Sequence, residues 1–420
     1  MSAQDRAGRG RPETVPEPSG GEGVRHVVFA CRSTALAGGI TTVVDELATE
    51  FVRRGLTVSY LSIHPPAGEP RVPGPVFEVD RFRHWTADHP LAADHPGPLG
   101  AKLAVKTVLT PLWRRWRSRR LRRHLARFGG DTAIVFANPD TLTCLSETSH
   151  VRPEADAPFL VAHVHTSPEG LERMGWDVPF PALDVVDAVV ALHPSYMQPI
   201  ADTQGVPVGA IPNPSGTVPA AAPREDADGR RRIVSFGRLS AEKRVDLTIR
   251  AFDALAADVP DVVLEVWGTG DQEEALARLA DESAHRDRIR FCGWSDDPAA
   301  VFTGATLHLM VSDFEGLPMS AIEALRCGVP TAGRPVPAGL SDILYQCGVP
   351  LPSADPSKIA DALRALLDSP DRLAGLVGAC GRVGAEFEPS IVADVWLDLF
   401  SARDITAIPH ARPRAVAAAS

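Results

Sequence analysis

The sequence predicts an α/β protein with two domains, each a parallel sheet covered by helices on both faces. Short apolar, β-like runs alternate with helical stretches along most of the chain, which is the pattern of such sheets. The alternation forms two series separated by residues 217–231, a linker-like segment rich in Ala, Pro and charged residues. A chain of 420 residues is also too long for a single core. We therefore expect two doubly wound, Rossmann-like domains that face each other across a cleft.

The spacing of apolar residues along the chain predicts the individual strands and helices. Residues 64–100 show no period and are rich in Pro, His and Asp, so we predict a long loop there. The predicted strands are 26–30, 56–63, 132–138, 159–165, 187–192, 232–237, 262–268, 288–293, 306–311 and 329–333, and the predicted helices are 41–55, 101–128, 245–257, 271–284, 318–327, 356–368 and 390–400. The predicted segments in chain order are a disordered tail 1–23, a first domain 24–216, the linker 217–231, a second domain 232–388, a helix 389–404 and a disordered tail 405–420.

Composition excludes several classes of protein. The net charge of −10 argues against a general nucleic-acid binder. The sequence has no run of eighteen apolar residues and no apolar signal sequence at its start, so we expect a cytoplasmic protein, or one peripheral to a membrane. The six cysteines form no C-x-x-C pair, which favours reduced, buried thiols and gives little support to a thiolate metal site.

The stretch "DFEGLPMSAIEALRCGVP" carries the most informative chemistry. A strand-like run precedes it, and Pro318 suits the first position of a helix, where no N–H is needed. The unpaired N–H groups of such a helix start bind anions, and Gly316 allows a ligand to approach the backbone. Glu315 and Glu323 would face the same cleft, where carboxylates would repel a phosphate unless they bind hydroxyls instead. This combination predicts a ligand with both phosphates and sugar hydroxyls, a sugar nucleotide.

A Glu, seven residues and a second Glu in the setting "EGLPMSAIEALRCGVP" resemble the signature of family 4 glycosyltransferases, which have the GT-B fold. The resemblance implies that Glu315 lies beside the donor sugar and that Glu323 holds the nucleotide ribose. It also implies backbone contacts to the sugar and the distal phosphate from Gly316, Leu317, Met319 and Ser320. The alternative is a capped amphipathic helix with incidental acids.

The segment "FGRLSAEKRVDLTIRAF" places Arg238 and Lys243 on a strand-to-helix loop, where two cations can converge on a diphosphate. It resembles the Gly-Arg-Leu…Glu-Lys pattern of the same family, whose Arg and Lys stabilise the leaving group. The departure is Arg244, where the family often has a small residue; it either adds charge or faces solvent. Either cation alone would suit an ordinary solvated loop.

Other segments match the family less specifically. "VWGTGDQ" and "RFCGWSDD" follow predicted strands, and the resemblance implies nucleotide contacts there from Gly268, Gly270, Phe291 and Gly293. Trp294 either stacks on the base or belongs to the core. "GLSDIL" resembles a late loop of the family with Asp342 in place of its usual acid, and the last helix, with Trp396, resembles one that crosses back to the first domain.

Two features of the first domain complete the predicted site. Gly38 and Gly39 precede the first helix without the G-x-G-x-x-G pattern, which disfavours a dinucleotide-binding oxidoreductase. They resemble the family's glycine loop near the donor phosphate, although a plain turn is the alternative. His163 and His165 share one face of a strand. The family has a His at a comparable strand end near the reaction centre; His165 aligns with it, and His163 is expected to be internal.

The resemblance implies a retaining, hexosyl-type glycosyltransferase that moves a sugar from a nucleoside-diphosphate sugar to a hydroxyl or another nucleophile. No D-x-D ends a strand, so we expect no metal and no cofactor, and the cations and helix start would stabilise the diphosphate. The acceptor stays open between a cell-envelope polymer, a lipid and a small metabolite. A catalytically silent, membrane-associated scaffold that binds sugar nucleotides is the alternative function.

The segment 113–128, "WRRWRSRRLRRHLARF", contains eight arginines and no acid in a chain of negative net charge. Its apolar residues recur at roughly helical spacing. Such a basic helix suits an anionic membrane surface, with Trp at the interface, or an acidic acceptor. It equally suits a domain helix that packs its apolar stripe on the sheet and leaves its arginines in solvent.

Overall fold

The computed structural model of the protein describes residues 23–34, 38–64, 68–79, 116, 118–138, 141, 156–173, 183–218, 226, 228–336 and 338–408. The strands are β1 (His26–Cys31), β2 (Thr57–Ser62), β3 (Val76–Glu78), β4 (Thr132–Phe136), β5 (Phe159–Val164), β6 (Ala188–Ala191), β7 (Val208–Ala210), β8 (Arg231–Phe236), β9 (Val262–Trp267), β10 (Ile289–Gly293), β11 (Leu307–Met310), β12 (Thr331–Gly333) and β13 (Val349–Pro350). The helices are α1 (Gly39–Arg53), α2 (Pro168–Arg173), α3 (Pro194–Gln204), α4 (Val245–Asp258), α5 (Glu273–Asp281), α6 (Pro298–Phe302), α7 (Met319–Arg326), α8 (Ala338–Cys347), α9 (Pro356–Leu367), α10 (Pro370–Gly384) and α11 (Pro389–Ala402).

The described strands form two parallel sheets, one in each predicted domain. The order is β3-β2-β1-β4-β5-β6-β7 in the first sheet and β10-β9-β8-β11-β12-β13 in the second. In the first sheet β1 lies between β2 and β4, with Val28 opposite both Ser59 and Ile134. The central strands are buried almost throughout, as expected for parallel strands covered on both faces. The predicted fold class is confirmed.

The region 64–100 contains one element that the sequence analysis missed. We predicted a loop throughout, but β3 pairs with β2 in parallel, with Val76 opposite Tyr60. Pro73 and Pro75 precede this three-residue strand, and proline at a strand's start is tolerated at a sheet edge. The prolines therefore obscured a short edge strand. Residues 65–67 and 80–100 lie outside the described part of the chain.

Helix α11 returns from the second domain and completes the core of the first. Trp396 has no solvent exposure and packs with Phe400, whose ring lies 5.7 Å from that of Phe51 on α1. At the rim, Arg54 pairs with Asp394 at 2.8 Å. The predicted crossing of the last helix is thus present in the structure.

The predicted tail at 405–420 begins too early. Residues 405–407 form a short 3₁₀ turn, and both Ile405 and Ile408 are buried against the first sheet. Gly209 in β7 makes room for Ile405, because a Cβ at that glycine would overlap the isoleucine side chain. Apolar burial therefore orders these residues. Residues 1–22 and 409–420 lie outside the described part of the chain.

The basic segment 113–128 is described at residue 116 and from residue 118 onward, and it is helical over 118–125. Leu121 and Leu125 are buried in the core of the first domain. Arg119, Arg122 and Arg123 are exposed. This is the arrangement of a domain helix with a basic outer face, and Leu109, Leu112 and Trp113 lie outside the described residues. Among the helices that the structure describes, none has the length and apolar character needed to cross a membrane.

Candidate functional site

A cleft of about 1230 Å³ lies where the carboxyl ends of strands from both sheets face each other. Segments that follow β1 and β5 line it from the first domain, and segments that follow β8, β9, β10 and β11 line it from the second. Ligands of doubly wound sheets bind at such strand ends. Of the predicted site residues, the cleft wall contains Gly38, Gly39, His165, Arg238, Lys243, Gly270, Glu315, Gly316, Leu317, Met319, Ser320 and Glu323.

The signature stretch forms the loop between β11 and α7. Helix α7 begins at Met319, and Pro318 directly before it accepts the backbone N–H of Ala321 at 3.1 Å. Its first turn contains no acidic residue and opens on the cleft at Met319 and Ser320. Free N–H groups and the helix dipole make such a start a site for anions.

Two loops of the second domain bring a cation and a carboxylate together in the cleft. Lys243 Nζ lies 2.6 Å from Glu315 Oε1, and the Glu315 side chain is only 9% exposed. The backbone N–H of Asp313 donates to the carbonyl of Glu242 at 2.8 Å, which holds the two loops together. Arg238 is exposed beside them, and its guanidinium has no hydrogen-bond or ion-pair partner among the described residues. One cation is therefore available to an incoming anion, and the second becomes available when its ion pair opens.

Glu323 lies deeper in the cleft, on the second turn of α7. It is 5% exposed, and burial raises its pKa to about 8, with a further rise caused by the nearby charge of Glu46 on α1. Burial also raises the pKa of Glu46, although the backbone N–H of Gly216 donates to its carboxylate and opposes the shift. Glu323 is thus largely protonated at pH 7, and it faces a second carboxylate from the opposite domain.

The two histidines separate as predicted into one internal residue and one at the cleft. His163 is buried, with its ring 5.1 Å from that of Trp396. His165 lines the cleft, and burial lowers its pKa to about 4, while Asn213 beside it acts in the opposite direction. His165 is therefore neutral at pH 7 and can offer a hydrogen bond but no charge.

Different structural constraints favour glycine at three positions of the cleft. Gly38 has a φ of 151° and open space at its Cβ position, which suits a loop that a ligand approaches. A Cβ on Gly39 would lie 3.2 Å from Met319 Cγ. A Cβ on Gly316 would lie 2.8 Å from the carbonyl oxygen of His165. Gly316 is therefore required by the close packing of the first domain's backbone, in addition to the ligand approach that the sequence predicts.

Three predicted nucleotide contacts do not belong to the cleft wall. The side chain of Phe291 packs against the core of the second domain. The carbonyl of Gly293 accepts the backbone N–H of Gly268 at 2.7 Å, and a Cβ on Gly268 would overlap the carbonyl of Gly237. Trp294 does line the cleft, 40% exposed, with its ring 6.0 Å from that of Phe236. The structure thus places Trp294 at the cleft and not in the core.

Two residues that depart from the family pattern have structural partners. Arg244 has a left-handed backbone conformation and pairs with Asp246 at 3.1 Å. It also pairs with Asp313 at 3.2 Å and so stabilises the signature loop. Asp342 on α8 lies 2.9 Å from His193 Nε2 of the first domain. Neither residue lines the cleft.

Several cleft residues were not predicted from the sequence. The first domain contributes Asp45, Glu46, Arg71 and Asn213 to the wall. Burial raises the pKa of Asp45 to about 6, although Arg71 nearby opposes the rise. The two acids looked like the polar face of an amphipathic helix, and the segment "IPNPSG" gave no sign that its asparagine would be buried.

Comparisons with known proteins find a family match within the second domain. Residues 230–369, which contain most of the second domain, match the family model of the glycosyl transferases group 1. A GDP-mannose-dependent monoacylated alpha-(1-6)-phosphatidylinositol monomannoside mannosyltransferase of Corynebacterium glutamicum is 30% identical over 165 residues, which are 37% of this chain and 42% of that protein. The chain spans between 15% and 48% of the length of eight curated relatives that it matches.

Solved structures match over most of the chain. A mutant of S. aureus TarM in complex with Fondaparinux, alpha-GlcNAc-glycerol and UDP superposes with a TM-score of 0.70 at 12% identity, covering 90% of this chain and 100% of that one. Anabaena HepE in complex with UDP and glucose superposes with a TM-score of 0.67 at 16% identity, covering 89% and 98%. At such identities the likeness shows the fold. Residues 230–369 thus resemble the glycosyl transferases group 1, within a chain that has the GT-B fold.

Proposed function

We propose that this protein is a retaining glycosyltransferase that moves a hexose from a nucleoside-diphosphate sugar to a hydroxyl of an acceptor. One observation carries the proposal. Lys243, Arg238 and the start of α7 offer positive charge on one wall of a cleft that also contains the carboxyl groups of Glu315 and Glu323. A ligand with a diphosphate flanked by two hydroxyl-bearing groups complements both the positive groups and the two glutamates.

Each part of the donor has a matching group. The diphosphate would displace Glu315 from Lys243 and bind between Lys243 and Arg238, at the amino end of α7. The ribose would lie against Glu323, and the sugar against Glu315. The neutral His165 would lie on the first-domain side, close enough to donate to a sugar hydroxyl. Two cations and a helix start can stabilise the departing diphosphate without a metal ion.

A thermal-unfolding screen tests the donor class. UDP-glucose, UDP-GlcNAc, GDP-mannose, ADP-glucose, TDP-glucose and NAD⁺ would each be added to the full chain. A ligand that binds only the folded state raises its apparent stability, by about 2.7 kcal/mol at a hundredfold excess over Kd. We expect at least one sugar nucleotide to stabilise the protein and NAD⁺ to have no effect. Slow hydrolysis of that sugar nucleotide without acceptor would distinguish an enzyme from a silent scaffold.

The two carboxylates should divide the work between nucleotide and sugar. Glu323→Gln should weaken binding of the bare nucleoside diphosphate ~10-fold, because a buried partner of the ribose is altered. Glu315→Gln should leave that affinity unchanged or raise it, because Lys243 then loses its competing carboxylate. Isothermal titration with the diphosphate measures both. An equal loss of affinity in the two variants would contradict this division.

The acceptor we propose is a cell-envelope polymer or lipid. Among the relatives are a poly(glycerol-phosphate) alpha-glucosyltransferase of Bacillus subtilis and a lipopolysaccharide core biosynthesis glycosyltransferase of Rhizobium meliloti. The exposed arginines of residues 118–125 add a basic surface on the first domain. Such a surface suits an anionic bilayer in which a lipid-linked acceptor would reside.

Binding to anionic vesicles is the corresponding prediction. The full chain should sediment with vesicles that contain 30% phosphatidylglycerol at low salt and should be released at high salt. Changing Arg119, Arg122 and Arg123 to Gln should remove most of this binding, since each basic residue near such a surface contributes ~1 kcal/mol. The matched control changes Arg250, Arg278 and Arg372 of the second domain, which are also exposed. Equal binding by both triple variants would leave the basic helix without a membrane role.

A further inference from the structure

One tyrosine of the first domain holds the backbone of the signature loop in the second. Tyr196 lies in the first turn of α3 and is 2% exposed. Its hydroxyl donates to the carbonyl of Gly316 at 2.8 Å and accepts the backbone N–H of Gly339 at 3.2 Å. A single hydroxyl therefore satisfies two backbone groups of the opposite domain.

Neighbouring contacts fix the same loop from the same side. Asn213 Nδ2 donates to the carbonyl of Leu317 at 3.4 Å. The backbone of His165 and Thr166 packs directly against Gly316, with no room for a Cβ. Two consecutive carbonyls of the signature loop thus point toward side chains of the first domain.

The direction of these carbonyls determines the direction of an amide. In a planar trans peptide the C=O and the following N–H point in opposite directions. Because the carbonyl of Gly316 points at Tyr196, the N–H of Leu317 points away from Tyr196, and Leu317 lines the cleft. This is one of the backbone groups that a donor sugar or phosphate would meet.

We propose that Tyr196 is a positioning residue, whose hydroxyl fixes the orientation of the Gly316–Leu317 peptide from across the domain boundary so that the Leu317 N–H is presented to the donor. The part about the donor rests on the proposed function, whereas the anchoring of the loop does not.

Two properties suit the hydroxyl to this work. Burial raises the pKa of Tyr196 to about 12, so the group stays protonated and remains a donor throughout the working pH range. Beside it, His193 and Asp342 form a second link between the same two helices at 2.9 Å. This contact holds the amino end of α3 next to α8, which limits the freedom of the hydroxyl to leave Gly316.

Hydrogen exchange on the ligand-free chain tests the anchor directly. Tyr196→Phe keeps the ring and removes only the hydroxyl. Peptides covering 314–322 and 338–344 should exchange at least ~10-fold faster in this variant. The first contains Gly316, whose carbonyl loses its donor, and the second contains Gly339, whose N–H loses its acceptor. The control is Tyr60→Phe, which removes an equally buried hydroxyl that donates to the carbonyl of Val72 at 3.1 Å in the same domain. It should leave both peptides unchanged. Unchanged exchange in Tyr196→Phe would overturn the proposal.

Ligand binding then tests the consequence. The probe is the sugar nucleotide that stabilises the wild-type chain most in the screen described above, together with its bare diphosphate. Tyr196→Phe should weaken the sugar nucleotide ~10-fold more than the diphosphate, whereas Tyr60→Phe should weaken neither. Equal weakening of both ligands would show general loosening of the domain interface and would overturn the positioning role.

A second variant removes the neighbouring contact. Asn213→Ala should accelerate exchange of the 314–322 peptide without affecting 338–344, because Asn213 contacts Leu317 but not Gly339. If no sugar nucleotide binds the wild-type chain, the proposed function fails, and the exchange measurements still decide whether Tyr196 anchors the loop.

Discussion

Replacing Lys243 with alanine should lower kcat for sugar transfer by ~10²–10³-fold, the usual cost of one electrostatic group that stabilises a leaving anion. Charge on the departing diphosphate grows in the transition state, so the loss should exceed any loss in donor affinity. Steady-state and single-turnover kinetics with the donor from the screen measure the two effects separately. A variant within a few-fold of wild-type turnover would exclude Lys243 from this role.

Two further variants separate the lysine's charge from its structural role. Removing Lys243 also leaves Glu315 without its 2.6 Å partner in a site where it is largely buried. The double variant Lys243→Ala with Glu315→Gln removes that unpaired charge. If turnover stays low in the double variant, the lost cation is the cause; recovery would assign the defect to the stranded carboxylate. Lys358→Ala, at an exposed site on α9, controls for loss of one positive charge and should behave as wild type.

Glu323 should make the stability of the protein fall as the pH rises from about 5 to about 8. Burial raises the pKa of Glu323 from its ordinary value of 4.5 to about 8 in the folded state, so between these values the folded chain binds more protons than the unfolded chain. Stability decreases with rising pH wherever that holds. A shift of this size corresponds to about 5 kcal/mol at full ionisation. Below pH 4 Glu323 is protonated in both the folded and the unfolded state and should contribute nothing to the pH dependence of stability.

Urea unfolding of the wild type and of Glu323→Gln across this range gives the measurement. The difference in unfolding free energy between them should change by several kcal/mol from pH 5 to pH 8.5. Glu46→Gln should make the wild-type slope shallower, because Glu46 raises the pKa of Glu323 and has a raised pKa itself. Parallel curves for wild type and Glu323→Gln would show that the residue is ionised in the folded state at neutral pH.

Most of the fold could be predicted because apolar period and strand–helix alternation are local signals. The helix predicted at 245–257, for example, is α4, at 245–258. Helix α10 was missed because glycine recurs every third residue from 375 to 384 and hides the helical signal. Packing against α7 decides its conformation instead, with a Cβ at Gly384 placed 2.9 Å from Leu325. Tertiary context of this kind is not visible in a local window.

Contacts between site residues that are distant in the sequence could not be predicted either. The two glutamates and two cations were identified from their loops, and all four lie in the cleft wall. The 2.6 Å contact between Lys243 and Glu315 could not be predicted, because it joins residues 72 positions apart on different loops. The effect of Glu46 on the pKa of Glu323 was also not predictable, because it depends on how the two domains face each other. Motifs therefore identified the chemistry of the second domain, whereas the first domain's acids and Asn213 required the structure.

The return of α11 has a consequence for the order in which the chain can fold. Trp396, Phe400 and Ile405 occupy the core beneath the first sheet, yet they are synthesised after the whole second domain. While residues up to about 380 emerge from the ribosome, the first sheet lacks these three apolar side chains and exposes the surface that they later cover. The second domain can complete its own core first, since the buried residues of that core end at Phe387. We therefore expect nascent chains stopped before residue 389 to be protease-resistant in the second domain and cleavable in the first.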